Sequence, residues 1–181
     1  MNRTSRRELL LFAALLAVGV LGRLFEPAWN FTPLAAVGAL AGYCFRGWAP
    51  AALLPLAVLA ISDLFVDSHD NSVVQVVVYA MALLPLLLGR AARSSASWRQ
   101  AAWWGACGVV PATAFYVVTN FAVWVSKSTY EPTLAGLADC YARALPFYRT
   151  MLAGDACYVA LAAIAVVALE VRQRSVVTAS I

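Results

Sequence analysis

The sequence predicts an all-α, polytopic membrane helix bundle of about six transmembrane helices. Three observations carry this: 63% of the 181 residues are hydrophobic, only 12% are charged, and apolar stretches recur from Leu9 to Leu169 with short polar segments between them. Soluble domains run at about half apolar and a quarter charged. A mean hydropathy of +0.78 leaves too little polar surface to cover a single core, so most of the exterior must face lipid. In lipid only helices and closed barrels satisfy their own backbone, and barrel strands are about ten residues long with strict alternation. These stretches are longer and do not alternate. Disorder, a disulfide scaffold and a coiled coil are excluded by the lack of polar tracts, dense cysteines and charged heptads.

Six spans follow in order within a single integral membrane domain, residues 1–181. The first, 8–25, follows a basic N-terminal segment. It continues through Val20 to Phe25 without an A-x-A cleavage pattern, so it reads as a retained span and not a signal peptide. The second, 33–45, is short for a full crossing at 1.5 Å per residue. The third, 49–65, ends in Ile61-Ser62-Asp63, and the fourth, 72–89, starts where Asn71 or Ser72 can cap a helix. A basic linker leads to the fifth, 100–125. Between the fifth and the sixth, 150–171, lies the longest connection, in which Pro132 and Thr133 start a helix and Pro146 ends it. There Leu134, Leu137, Tyr141 and Leu145 recur at helical spacing, which predicts an amphipathic external segment at 133–145.

Arg3, Arg6, Arg7, Arg46, Arg90, Arg93, Arg99, Arg172 and Arg174 fall on one side of this layout, against Arg23, Lys127, Arg143 and Arg149 on the other. Positive charges are retained in the cytoplasm. The expected location is therefore a bacterial cytoplasmic (inner) membrane, with multiple passes and both termini cytoplasmic. The net charge of +4 is scattered between spans and not gathered on one surface, so no nucleic-acid partner is expected. Cys44, Cys107, Cys140 and Cys157 form no CxxC pair, which leaves metal-finger readings weak.

Several residues carry possible chemistry. Ionisable groups near spans cost about 2.5–3.5 kcal/mol at a helix centre and so face protein or water. Asp63 and Asp155 either mark the water interface or converge on a site. His69, in Asp67-Ser68-His69-Asp70-Asn71, is the single histidine; it suits metal binding or proton exchange, or is a solvated loop residue. Whether His69 or Cys140 reaches a metal is open. Tyr116, Asn120 and Trp124 form one stripe on the fifth span, suited to a small planar ligand or to helix packing. The spacings Ala13-x-x-x-Ala17, Ala35-x-x-x-Ala39 and Gly38-x-x-x-Gly42 permit close helix approach, internally or to a partner. There is no GxxxxGK[ST] loop, HExxH helix or GxSxG elbow.

On Asn30-Phe31-Thr32-Pro33, Ser62-Asp63-Leu64-Phe65, Thr119-Asn120-Phe121-Ala122-Val123-Trp124, Tyr130 with Thr133-Leu134-Ala135-Gly136-Leu137, Cys140-Tyr141, Pro146-Phe147 and Gly154-Asp155, the chain resembles an uncharacterised bacterial family of small integral membrane proteins. Its general form resembles the substrate-binding S components of energy-coupling-factor vitamin transporters, in which a membrane coupling subunit and ATPases supply the energy. That resemblance implies an outward-facing pocket for a small-molecule ligand and a partner face on the first helix, which Ala13 and Ala17 fit. The expected function is a substrate-binding component for uptake of a vitamin-like small molecule or metal-containing cofactor. Arg23, Asn30, Asp63, His69, Asn120, Trp124, Tyr141, Arg143 and Asp155 are the residues expected around the pocket. The alternatives are a membrane enzyme acting on a lipid headgroup through Asp63, His69 and Asp155, or a nonenzymatic assembly partner.

Overall fold

The computed structural model of the chain describes residues 3–66, 71–96 and 98–179. They form seven helices: α1 (Arg3–Leu24), α2 (Leu34–Cys44), α3 (Trp48–Ser62), α4 (Ser72–Met81), α5 (Leu84–Arg93), α6 (Trp98–Ser126) and α7 (Leu134–Ala179). Among the described residues there is no strand. Three stretches are long and apolar enough to cross a membrane: Ser72–Arg93, Trp98–Ser126 and Leu134–Arg172. Exposed aliphatic side chains such as Leu10, Val18, Val76, Leu161 and Ile164 cover the outer helix faces, where lipid replaces water as the compatible solvent. This is a membrane protein.

The expected fourth span is two helices, α4 and α5, joined at 82–83. Pro85 has no N–H to give the Met81 carbonyl and disfavours helical backbone at Leu84, so the ladder is interrupted and restarts with proline in the first turn of α5. A second difference lies at Pro146. The sequence predicts that this proline ends a separate surface helix, but α7 runs through it for 46 residues. The Ala142 carbonyl that loses its partner lies on an exposed face. On either side of Pro146 the helix is held to α6: the Tyr116 hydroxyl donates to the Tyr141 carbonyl (2.8 Å), the Tyr141 hydroxyl donates to the Val117 carbonyl (2.6 Å), and the Tyr148 ring stacks on Tyr116 at 4.7 Å.

α2 is 11 residues long, about 16 Å against about 30 Å of hydrocarbon. It tolerates this length because it runs inside the bundle, with Ala35, Ala36, Val37, Gly38, Ala39, Ala41 and Gly42 all buried. Its tightest neighbour is α5. A Cβ on Gly42 would stand 2.0 Å from the Leu86 carbonyl oxygen, and one on Gly89 would stand 2.0 Å from that of Ala39. The Gly38-x-x-x-Gly42 and Ala35-x-x-x-Ala39 spacings therefore serve internal packing, whereas Ala13 and Ala17 lie exposed on α1.

One end of the bundle carries Arg46, Arg90, Arg93 and Arg99, and the other carries the connections at 25–33 and 127–133 with residues 63–66 and Asn71. At the arginine-rich end Arg90 donates to the Arg46 carbonyl and Arg93 to the Phe45 carbonyl, both at 2.8 Å, closing the α2–α3 turn. There the Tyr43 hydroxyl also donates to the Glu170 carboxylate, and Gln100 donates to the Tyr43 oxygen (2.8 Å), tying α2, α6 and α7 together.

Candidate functional site

At the opposite end, the half of the membrane depth that α2 leaves unfilled is occupied by the 25–33 connection and a cavity of about 380 Å³. The connection turns sharply. The Phe31 N–H donates to the Ala28 carbonyl (2.9 Å), and Asn30 sits at φ 64°, a left-handed conformation that asparagine tolerates better than most residues. The same turn brings the Asn30 N–H beside the Glu26 carboxylate. Gly154 of α7 receives the connection: a Cβ there would lie 3.1 Å from Phe31 Cα and 3.3 Å from Thr32 N. The edge-on ring contact between Trp29 and Phe147, at 5.4 Å, fastens its rim.

The polar lining comes from four regions: Arg23 from α1, Glu26, Asn30 and Thr32 from the connection, Thr119 and Asn120 from α6, and Asp155 from α7. Aromatic and apolar walls are formed by Trp29, Phe115, Tyr116, Phe147, Tyr148 and Met151, with Leu59, Val78 and Met81 opposite. Asp155 is 6% exposed and sits beside the Ala112 backbone. It reaches this depth because α6 and α7 approach closely at Gly108, where a Cβ would contact Ala156 Cα at 3.4 Å. Pro111 follows one turn later and interrupts the α6 ladder beside the acid. Burial pushes the Glu26 carboxyl above its ordinary range, against the lowering effects of the Asn30 N–H and the Arg23 charge.

The nine residues expected around the pocket divide accordingly. Arg23, Asn30, Asn120 and Asp155 line one cavity. Asp63 stands behind it, with one carboxylate oxygen accepting from Arg23 (2.9 Å) and the other from the Tyr79 hydroxyl (3.0 Å). It thereby fixes Arg23, whose same nitrogen also donates to Ser62 Oγ (2.5 Å). Trp124 lies outside the lining and donates to the Glu131 carbonyl (2.9 Å), holding the 127–133 connection. Tyr141 is outside it too, tied to α6. Arg143 points to the exterior and pairs with Asp139 one turn back. His69 lies outside the described residues. Among those described, no three His, Cys, Asp or Glu side chains converge as metal ligands, and the Cys140 thiol donates to the Asn120 carbonyl (3.5 Å).

Sequence reasoning did not single out Glu26, Thr32, Phe115, Phe147, Tyr148 or Met151 as lining. Glu26 was open to it as an acidic residue one turn beyond Arg23. The others are ordinary apolar or hydroxyl residues whose direction depends on how α6 and α7 pack.

The profile of a family of unknown function (DUF6580) matches residues 3–177. The chain belongs to this family. The match takes in all elements that build the cavity, so the DUF6580 sequence pattern and the site coincide along the chain. No curated protein and no solved structure matches.

Proposed function

We propose that this DUF6580 protein is a substrate-binding membrane component for uptake of a vitamin-like small molecule, energised by separate subunits. The observation that carries the reading is the roofed cavity, in which Arg23, Asn30, Asn120 and Asp155 converge from distant parts of the sequence. Its size and mixture of aromatic walls with a few polar groups suit a small ligand held in a defined orientation. The cavity lies at the end opposite the arginine-rich connections, which by the positive-inside rule faces outward. Both termini are then cytoplasmic, as they are in the S components of energy-coupling-factor transporters. The sequence has no nucleotide-hydrolysis loop, so the energy comes from partners, and the exposed Ala13 and Ala17 offer a face for close approach of a membrane coupling subunit.

Native mass spectrometry of the gently purified protein tests the reading. A noncovalent adduct of vitamin size, lost in the cavity variant Asn120→Ala, is the expected result. A chain that carries only phospholipid, and gives cells no partner-dependent accumulation of any released compound, would overturn it.

A further inference from the structure

The cavity carries two carboxylates, Glu26 and Asp155, against one guanidinium, Arg23. That guanidinium is already matched: it pairs with Asp63 at 2.9 Å in a site where both side chains are largely buried, 17% and 11% exposed. Glu26 and Asp155 each lie beside a backbone N–H, of Asn30 and Ala112, but Glu26 also feels the Arg23 charge. Asp155 is different. It is more than nine-tenths buried, it lines the cavity, and among the described residues it has no cationic partner within ion-pair distance. A carboxylate buried in this way gains most from a cation supplied by the ligand.

Its surroundings select the kind of cation. Ala112 of α6 lies beside Asp155, and Phe115 and Tyr116 follow about one turn along the same helix face. Tyr148 stacks on Tyr116 at 4.7 Å. Ring faces next to a buried acid favour a flat, delocalised charge over a compact ammonium, because a planar cation keeps its electrostatic attraction while replacing water with ring contact. The remaining polar groups suit a neutral acceptor on the ligand. Leu34 and Ala35 bring the α2 N-terminus to the cavity wall without a side-chain cap, and Arg23 has N–H groups beyond the one that binds Ser62 and Asp63.

We infer that the cavity takes a small planar nitrogen heterocycle bearing a delocalised positive charge and a carbonyl or amide acceptor, with the charge against Asp155 and the ring against the aromatic wall that α6 and α7 supply. This deepens the uptake reading and rests on it for the cavity being a ligand site. Three probes share one ring and differ in charge: nicotinate, nicotinamide and 1-methylnicotinamide. In titrations of the purified full chain, 1-methylnicotinamide should bind about tenfold more tightly than nicotinamide, with nicotinate weakest. Asp155→Asn should bring the cation and the neutral amide to within about twofold of one another, while the exterior change Asp139→Asn retains a preference of about tenfold. If Asp155→Asn fails to fold, the wild-type charge series decides alone. Nicotinate binding as well as the cation, no probe binding at millimolar concentration, or a preference that survives in a folded Asp155→Asn protein would each overturn the inference. None of these outcomes bears on partner-dependent accumulation, which tests the uptake reading separately.

Discussion

Asp63 and Asp155 both stand at the cavity, one behind its wall and one in its lining, yet the chain treats them differently. Both oxygens of Asp63 are engaged by Arg23 and Tyr79, so its role is to hold the Arg23 guanidinium in the cavity wall. Asp63→Asn leaves that largely buried cation without its counter-ion, and breaking such a pair costs about 3–5 kcal/mol. We expect a clear fall in the thermal midpoint of the detergent-solubilised protein. An Arg23→Met, Asp63→Asn double variant should lose less than the sum of the two single changes, since the second change removes the orphaned charge; strict additivity would mean that the two side chains do not interact. At Gly154 the constraint is steric. Gly154→Ala must displace the Phe31–Thr32 backbone by a few tenths of an ångström, which shifts the cavity roof. The expected cost is about 1–2 kcal/mol, together with weaker binding of whatever ligand copurifies; unchanged binding would show that the roof does not shape the site.

The α2–α5 contact is the element on which the cavity rests, because α2 can be short only if it is enclosed. Gly42→Ala and Gly89→Ala each drive a methyl into a carbonyl oxygen across the helix pair. Overpacking of this kind costs about 1–3 kcal/mol and more where backbone must move. Gly105→Ala is the matched control: a Cβ there meets nothing within 4 Å, and alanine is favoured over glycine in a helix by about 0.8–1.0 kcal/mol. Thermal midpoints should therefore fall for the first two variants and stay level or rise for the third. A fall for all three would point to a general intolerance of substitution, and the glycine contact would lose its special place. Much of this element was readable beforehand, since the Gly38-x-x-x-Gly42 spacing marks a close approach. Its partner was not, because several helices offer small residues and only the packing chooses among them.

For the whole molecule, the proposed orientation rests on the separation of the arginine-rich end from the cavity end. A cysteine introduced by Ser128→Cys should react with an impermeant maleimide in intact cells, and one introduced by Ser95→Cys should react only after lysis. The reverse pattern would turn the protein over in the membrane. At the proposed partner face, Ala13→Trp combined with Ala17→Trp places two indoles on an exposed strip of α1 remote from the cavity. Ligand binding by the purified chain should be retained while uptake in cells with the partner subunits is lost; unchanged uptake would assign docking to another face.

Composition and periodicity by themselves determine that this chain is a membrane helix bundle, because 63% hydrophobic and 12% charged residues admit no water-soluble alternative. They also mark Asp63 and Asp155, since ionisable groups near spans are costly and need company, and the helical stripe that holds Asn120. Only the tertiary structure decides which company each keeps. Asp63 and Arg143 are both charged residues expected around the pocket, but one is consumed by an internal ion pair and the other turns outward along α7. The continuity of α7 through Pro146 is likewise a tertiary outcome: the local rule favours a break, and the tyrosine contacts to α6 on both sides outweigh one missing hydrogen bond. The cavity exists for the same reason, as space left between helices whose apolar stretches the sequence indicates and whose contacts it does not.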